Sequence, residues 1–165
     1  MRKLIAGLVL GTALATAPMA AQAETPKNAL VMAFAIDDLI TLDPAGMFEF
    51  TALEYAGNTY DRLIGFDNDD VSKIYGVVAE SWDVSEDGLT FTFKIRDGIT
   101  FSNGKTCTAE DVLATMERHS GEDTKSGALG IMRGIAGMSV DGDTFVVELE
   151  QPNADLPYLM TDYHL

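Results

Sequence analysis

The 165-residue chain contains one cysteine, Cys107. It cannot form an intrachain disulfide, so its stability must come from burial. A catalytic thiol needs a cationic or histidine partner. The sequence places none beside Cys107, which reads as a small half-buried residue. Histidine is almost as scarce. His119 and His164 lie far apart, and neither sits in a metal-ligand spacing. His119 falls at the end of an expected helix, where the helix dipole favours it. There is no G-x-S-x-G, no phosphate-binding loop and no dinucleotide fingerprint. Basic residues are few, 11 Lys plus Arg against 26 Asp plus Glu, for a formal charge of −15. Such a field repels phosphate backbones and anionic headgroups and argues against nucleic-acid or membrane-surface binding. It permits a cationic ligand, although a solvated acidic surface is the simpler reading. The single tryptophan, Trp82, could stack on a ligand but reads first as a core anchor. No internal repeat or low-complexity segment is present.

The first 23 residues stand apart. Arg2 and Lys3 form a short positive region, residues 4–17 an apolar core, and Ala21-Gln22-Ala23 a small-x-small cleavage site. This is the pattern of a cleavable secretory signal peptide, and no later apolar stretch is long enough to span a bilayer. No cysteine follows the apolar core, so a lipid anchor is not expected. Arg2 and Lys3 are the only charges in this leader, so its removal takes the formal charge from −15 to −17.

Residues 29–36, "ALVMAFAI", form a continuous apolar run of strand length, as expected for a strand buried on both faces. Pro44 and Gly46 then mark a loop. Residues 51–63 carry Leu53, Ala56, Thr59, Tyr60 and Leu63 near helical spacing and read as a helix, weakened by Gly57. The stretch "FDNDDVSKIYG" reads as an acidic turn and connector. Asp67, Asp69 and Asp70 suggest calcium, but an EF-hand loop needs glycine at its sixth position and glutamate at its twelfth, where Ser72 and Val78 stand. Asp37 and Asp38 are adjacent, so on a strand they would face opposite ways and form no acid–base dyad.

Residues 79–112 are the most patterned. Ser85-Glu86-Asp87-Gly88 has turn chemistry. Phe91, Phe93 and Ile95 alternate with Thr90, Thr92, Lys94 and Arg96, the pattern of a half-buried antiparallel strand. Asp97-Gly98 and Asn103-Gly104 flank a short expected strand at 99–101. Thr108-x-x-Asp111 resembles a capping box opening a helix to about residue 118, with Val112, Leu113 and Met116 as its apolar stripe. Residues 120–130 read as a mobile polar loop. A hairpin is expected across Asp141-Gly142, with Phe145, Val147 and Leu149 on one face. Residues 151–165 open another element, with no polar tail after it.

The segment "AESWDVSEDGLTFTFKIRDGITFSNGKTCTAEDV" resembles the signature region of the family 5 extracellular solute-binding proteins, the peptide- and nickel-type binding components of ABC importers. "TLDPA", "YDRLIGFD" and "VELEQPNADLPYL" are similar to the family in the same order. Cys107 departs from the pattern, since a proline or aromatic is usual before "TAEDV".

The resemblance implies a mixed α/β (α+β) chain that is part of a two-lobed periplasmic-binding-protein fold, comprising the first strand of lobe one and most of the accessory subdomain. The implied division is 1–23 signal peptide, 24–45 first strand and loop of lobe one, 46–155 accessory subdomain, and 156–165 the start of the return to lobe one, where the chain reads as truncated. It implies a periplasmic, non-catalytic protein, monomeric at full length and without a cofactor. Such a protein captures a small solute, a peptide first of all, and delivers it to an inner-membrane permease. Carried over by position, the ligand-facing residues are Asp38, Leu39 and Ile40 before "LDP". Phe48, Glu49 and Phe50 in the next loop form a grouping suited to an amphipathic ligand with a positive end. Tyr163 and His164 are added where the chain crosses back toward the cleft.

Two alternatives stay open on sequence. A secreted hydrolase would need a catalytic group that nothing in these residues supplies. A freestanding interaction module derived from the subdomain would leave an uncovered apolar strand, which tends to aggregate.

Overall fold

The alternation at residues 90–96 sets the architecture of the computed structural model, which describes residues 25–33, 35–121 and 126–162. Among these residues the elements run α1 (Phe50–Thr59), β1 (Ile64–Phe66), β2 (Ile74–Gly76), β3 (Ala79–Val84), β4 (Thr90–Ile95), α2 (Ala109–Ser120), α3 (Leu129–Met132), β5 (Ile135–Asp141), β6 (Thr144–Leu149) and α4 (Leu156–Leu159). The fold is therefore mixed α+β. Residues 1–34 and 35–165 are separate units. All the elements belong to the second.

A four-stranded antiparallel sheet with order β3-β4-β6-β5 forms the centre. Phe91, Phe93 and Ile95 of β4 are buried, as are Phe145, Val147 and Leu149 of β6. The register sets Phe93 opposite Phe145 and Phe91 opposite Val147. The Phe93 and Phe145 rings lie 6.1 Å apart, within the range of favourable aromatic pairs. The helix α2 packs against β5 and β6 and adds Ala109, Val112 and Met116 to this core, which Met132, Leu156 and Met160 complete. Burying one such large side chain contributes about 1.5–3 kcal/mol. Trp82 is half-buried against the same core and pairs with Phe93 across β3 and β4, the anchor role expected of it.

The turn chemistry is as expected. Gly88 and Gly142 take φ values of 70° and 62° in the two hairpin turns, conformations that glycine alone adopts without a side-chain penalty. The Asp87 carboxylate accepts from the Leu89 amide and the Ser85 hydroxyl. At the start of α2, Asp111 Oδ2 accepts from the Thr108 amide at 3.1 Å, and Lys105 pairs with the same carboxylate.

Several expectations are corrected. Residues 29–33 and 35–36 carry no strand. Leu30 is 85 % exposed, and the backbone there makes a turn bond from the Ala29 amide to the Pro26 carbonyl. An apolar run becomes a strand only when a ladder partner takes its amides and carbonyls. The helix expected at 51–63 ends at Thr59, and Tyr60 is already extended. The carbonyls of Arg62 and Leu63 are taken instead by the amides of Val78, Val77 and Ala79.

The acidic connector is a hairpin, with β1 and β2 paired from Ile64–Gly76 to Phe66–Ile74. The carboxylates of Asp67 and Asp70 accept turn bonds from the Asp69 and Ser72 amides. The strand expected at 99–101 is a single bridge, Thr100 to Thr106, because the Gly104 turn leaves room for little more. In the loop after α2, Ser126 and Ala128 are buried, so that end of it is anchored, not a mobile surface. The signal peptide expected at residues 1–23 lies outside the described residues.

Candidate functional site

The loop before α1 is built from short-range polar ties. A turn closes from the Leu39 amide to the Ile36 carbonyl at 3.1 Å. Leu39 is half-buried against Met47, Ala52 and Ala56, a small apolar cluster of its own. Asp38 Oδ1 accepts from the Thr51 hydroxyl at 2.7 Å, and Oδ2 stands 3.5 Å from the Thr51 amide. Residues 38–40 are thereby held beside the first turn of α1, where a carboxylate also meets the positive end of the helix dipole. The hydrogen bond from Thr51 holds the Asp38 carboxyl below its ordinary value, which keeps it ionised.

Glu49 occupies the N-cap position of α1, and its Oε2 accepts from the Phe48 amide at 3.1 Å. Phe48 and Phe50 on either side are exposed, Phe50 at 89 %, and Ile40 is 82 % exposed. Six of the expected residues, Asp38, Leu39, Ile40, Phe48, Glu49 and Phe50, thus lie in one neighbourhood. Leu39 differs from the rest in packing inward. Tyr163 and His164 lie outside the described residues.

The neighbourhood offers two carboxylates among exposed apolar side chains. That chemistry suits an amphipathic solute with an amine. Among the described residues no group of three or more His, Cys, Asp or Glu side chains could hold a metal ion.

The "LDPAG" turn follows directly. Thr41 Oγ1 accepts from the Asp43 amide, Asp43 Oδ1 accepts from the Ala45 amide at 3.1 Å, and the Asp43 carbonyl accepts from the amides of Gly46 and Met47. The Asp43 carboxylate also receives both ends of the Arg118 guanidinium, Nη1 at 2.7 Å to Oδ1 and Nη2 to Oδ2. These hydrogen bonds hold Asp43 below the usual carboxylate range and raise Arg118. Sequence reasoning missed both Thr51 and Arg118. A Thr in a first helical turn is a weak signal, and nothing local links Arg118 to a residue 75 positions away.

Beside this turn lies a cavity of about 720 Å³, lined by Leu42, Pro44 and Arg118 together with the core residues Leu63, Val112 and Met116. Cys107 also lines it. Burial pushes its thiol pKa up, and the nearby Asp111 adds to the effect, so the thiolate needed for reactivity is disfavoured. His119 is buried, and its Nδ1 lies 2.6 Å from Ser126 Oγ. This is a packed polar pair at the end of α2, not a surface residue meeting the dipole alone.

Residues 73–165 match the family described as bacterial extracellular solute-binding proteins, family 5 Middle. The glutathione-binding protein GsiB of Escherichia coli O6:K15:H31 is 34 % identical over 140 residues, 84 % of this chain and 27 % of that protein. The probable peptide ABC transporter periplasmic-binding protein y4tO of Sinorhizobium fredii is 31 % identical over 157 residues, 94 % of this chain and 29 % of its own length. Among solved structures, the binding protein MoaA of A. tumefaciens R10 in complex with mannopinic acid superposes with a TM-score of 0.70 at 26 % identity. That match covers 77 % of this chain and 27 % of MoaA. The chain spans about a quarter of the length of the relatives it matches. With the β3–β4 hairpin and the start of α2 carrying the signature, and with this extent of likeness, the chain belongs to the family 5 bacterial extracellular solute-binding proteins.

Proposed function

We propose that this chain is part of the substrate-binding component of an ABC importer, which takes up a short peptide or a glutathione-like solute and passes it to a membrane permease. The observation that carries this reading is the 34 % identity to a glutathione-binding protein across 84 % of the chain. A relative named as a peptide ABC transporter periplasmic-binding protein supports it. The protein acts by binding, without catalysis, and works in the periplasm after removal of residues 1–23. It is monomeric at full length. Residues 24–45 belong to lobe one, 46–155 to the accessory subdomain and 156–165 to the return toward lobe one.

Asp38, Ile40, Phe48, Glu49 and Phe50 face the solute. The two carboxylates receive its amine, and the exposed rings cover its apolar body. Solute binds best in the closed form and so drives closure of the two lobes. No helix among the described residues is long and apolar enough to cross a membrane. A secreted hydrolase and a freestanding interaction module are both less favoured, because the matched relatives are named for binding solutes.

The test is calorimetric titration of the gene product, purified from its source at native length, with reduced glutathione and with tripeptides. Saturable binding is expected, weakened about tenfold or more by Glu49→Ala or Phe50→Ala, as for residues that anchor an interface. Absence of binding to every peptide-like solute would overturn the reading.

A further inference from the structure

We propose that the Asp43–Arg118 ion pair is a clasp that positions the loop 36–50 on the body formed by the sheet and α2. The proposal rests on the reading of that loop as solute-facing, and it makes Asp43 and Arg118 positioning residues for the site. The other ion pairs among the described residues join near neighbours. Lys73 and Asp70 share a turn, Lys94 and Glu80 face each other across β3 and β4, and Lys105 meets Asp111 at the start of α2. Asp43 and Arg118 instead join segments 75 positions apart. Their contact is a two-point fork, which fixes orientation as well as distance, because the guanidinium and carboxylate planes must align.

Asp43 is wired into the middle of the loop. Its Oδ1 holds the Ala45 amide and its carbonyl holds those of Gly46 and Met47. Met47 is fully buried and packs with Leu39, Ala52 and Ala56. A displacement of Asp43 therefore moves Phe48 to Phe50 through Met47, and Asp38 to Ile40 through Leu39. On the other side Arg118 stands on a firm base. Met116 and His119 flank it on α2, both buried, and His119 is tied to Ser126. Packing does this job only in part, at the buried Ala45 and Met47. Leu42 and Pro44 line the cavity of about 720 Å³ with Met116 and Arg118, so space lies beneath this part of the loop. A loop over a void keeps its place through its polar ties.

The experiment is amide hydrogen exchange on the gene product at native length, comparing wild type with Asp43→Asn, Arg118→Gln and the double variant. The side-chain carbonyl introduced by Asp43→Asn can still accept from the Ala45 amide, so this variant separates the fork from the turn. In each single variant the amides of Ala45, Gly46 and Met47 should exchange about three- to fivefold faster, the effect of a half-exposed pair of good geometry. The double variant should be no faster than the singles, and Arg118→Lys, which keeps the charge but not the fork, should fall between. Amides of β4 and β6 should be unchanged. Unaltered exchange at 45–47 in Arg118→Gln would overturn the clasp, as would an equal acceleration in β4 and β6, which would mean general destabilisation. The solute-facing reading is decided separately by the Glu49 and Phe50 titrations. If it fails there, the exchange result still decides whether the clasp exists.

Discussion

Replacing Gly76 with alanine tests the tightest place in the chain. Gly76 ends β2 and pairs with Ile64 across the β1–β2 hairpin. Just beyond it the chain turns into β3, so the Ala79 carbonyl folds back over it. A Cβ built on Gly76 would lie 2.2 Å from the Ala79 oxygen and 3.2 Å from that of Glu80. Both obstacles are backbone, so no side-chain rotation relieves them. Restoring ordinary contact requires a shift of about 1 Å, and forced overpacking of this kind costs about 1–3 kcal/mol. The shift also pulls on the Arg96 guanidinium, which donates to the carbonyls of Val77, Gly76 and Ala79, and a weakened hydrogen bond costs about 1 kcal/mol more. The expected loss is about 2–4 kcal/mol, read as a lower urea midpoint at unchanged slope. Gly130 in α3 is the control. Nothing lies within 4 Å of its added Cβ and its φ is not positive, so Gly130→Ala should stabilise by up to about 1 kcal/mol through helix propensity. A Gly76→Ala variant within about 0.5 kcal/mol of wild type, the range of an ordinary surface change, would refute the backbone path described for 76–79.

Three further outcomes are expected. Asp111→Ala removes the acceptor of the Thr108 amide and the partner of Lys105. It should cost about 1 kcal/mol in urea unfolding, as for other lost helix caps, with Asp111→Asn recovering part of it. The Cys107 thiol, pushed up by burial, should react with a disulfide reagent at about pH 8 roughly tenfold or more slowly than in the urea-unfolded chain; equal rates would contradict its placement. Asp43 has its pKa lowered from 3.8 in the folded chain. The stability it contributes is therefore fully present above its unfolded value and is lost as pH falls through the lower folded value. Protection at 45–47, corrected for intrinsic exchange, should match at about pH 7 and about pH 5 and fall below pH 3.8, and Arg118→Gln should reduce that dependence, leaving the part due to the Ala45 amide.

What could be read from sequence follows the range of the interactions involved. Phe91, Phe93 and Ile95 declared their burial by alternation, and Gly88, Gly142 and Asp111 declared their turns and cap, because each signal lies within a few residues of its effect. The apolar run at 29–36 misled because a strand is a property of two paired segments, and one half of a ladder carries no information about the other. The hairpin β1–β2 was hidden by its acidic turn, whose carboxylates read as solvated or metal-seeking and instead accept the amides of Asp69 and Ser72. In the candidate site, residues 38–40 are proposed from family resemblance and 48–50 from the grouping of two aromatic rings about a carboxylate. The ties that hold them, Asp38 to Thr51 and Asp43 to Arg118, are contacts across 13 and 75 positions that no local pattern encodes.

The same distinction explains why the most recognisable stretch of the chain contributes none of the proposed solute-facing residues. Residues 79–112 carry turns, an alternating strand and a capped helix start, and each of these accepts few residue types for reasons of backbone geometry. Many of their side chains point into the core or cap local amides. The Lys94–Glu80 pair lies half-exposed across two strands, where it contributes little. The loop at 36–50 faces weaker local demands. Ile40, Phe48 and Phe50 are exposed, so many side chains would satisfy the fold at those positions, and a change there leaves the core intact. Positions free of structural duty are the ones where solute preference can vary from one binding protein to another. Relatives named for glutathione and for peptides, and a neighbour holding mannopinic acid, accordingly resemble this chain across most of its length. On the proposed reading, what distinguishes their solutes lies at positions such as Phe48, Glu49 and Phe50.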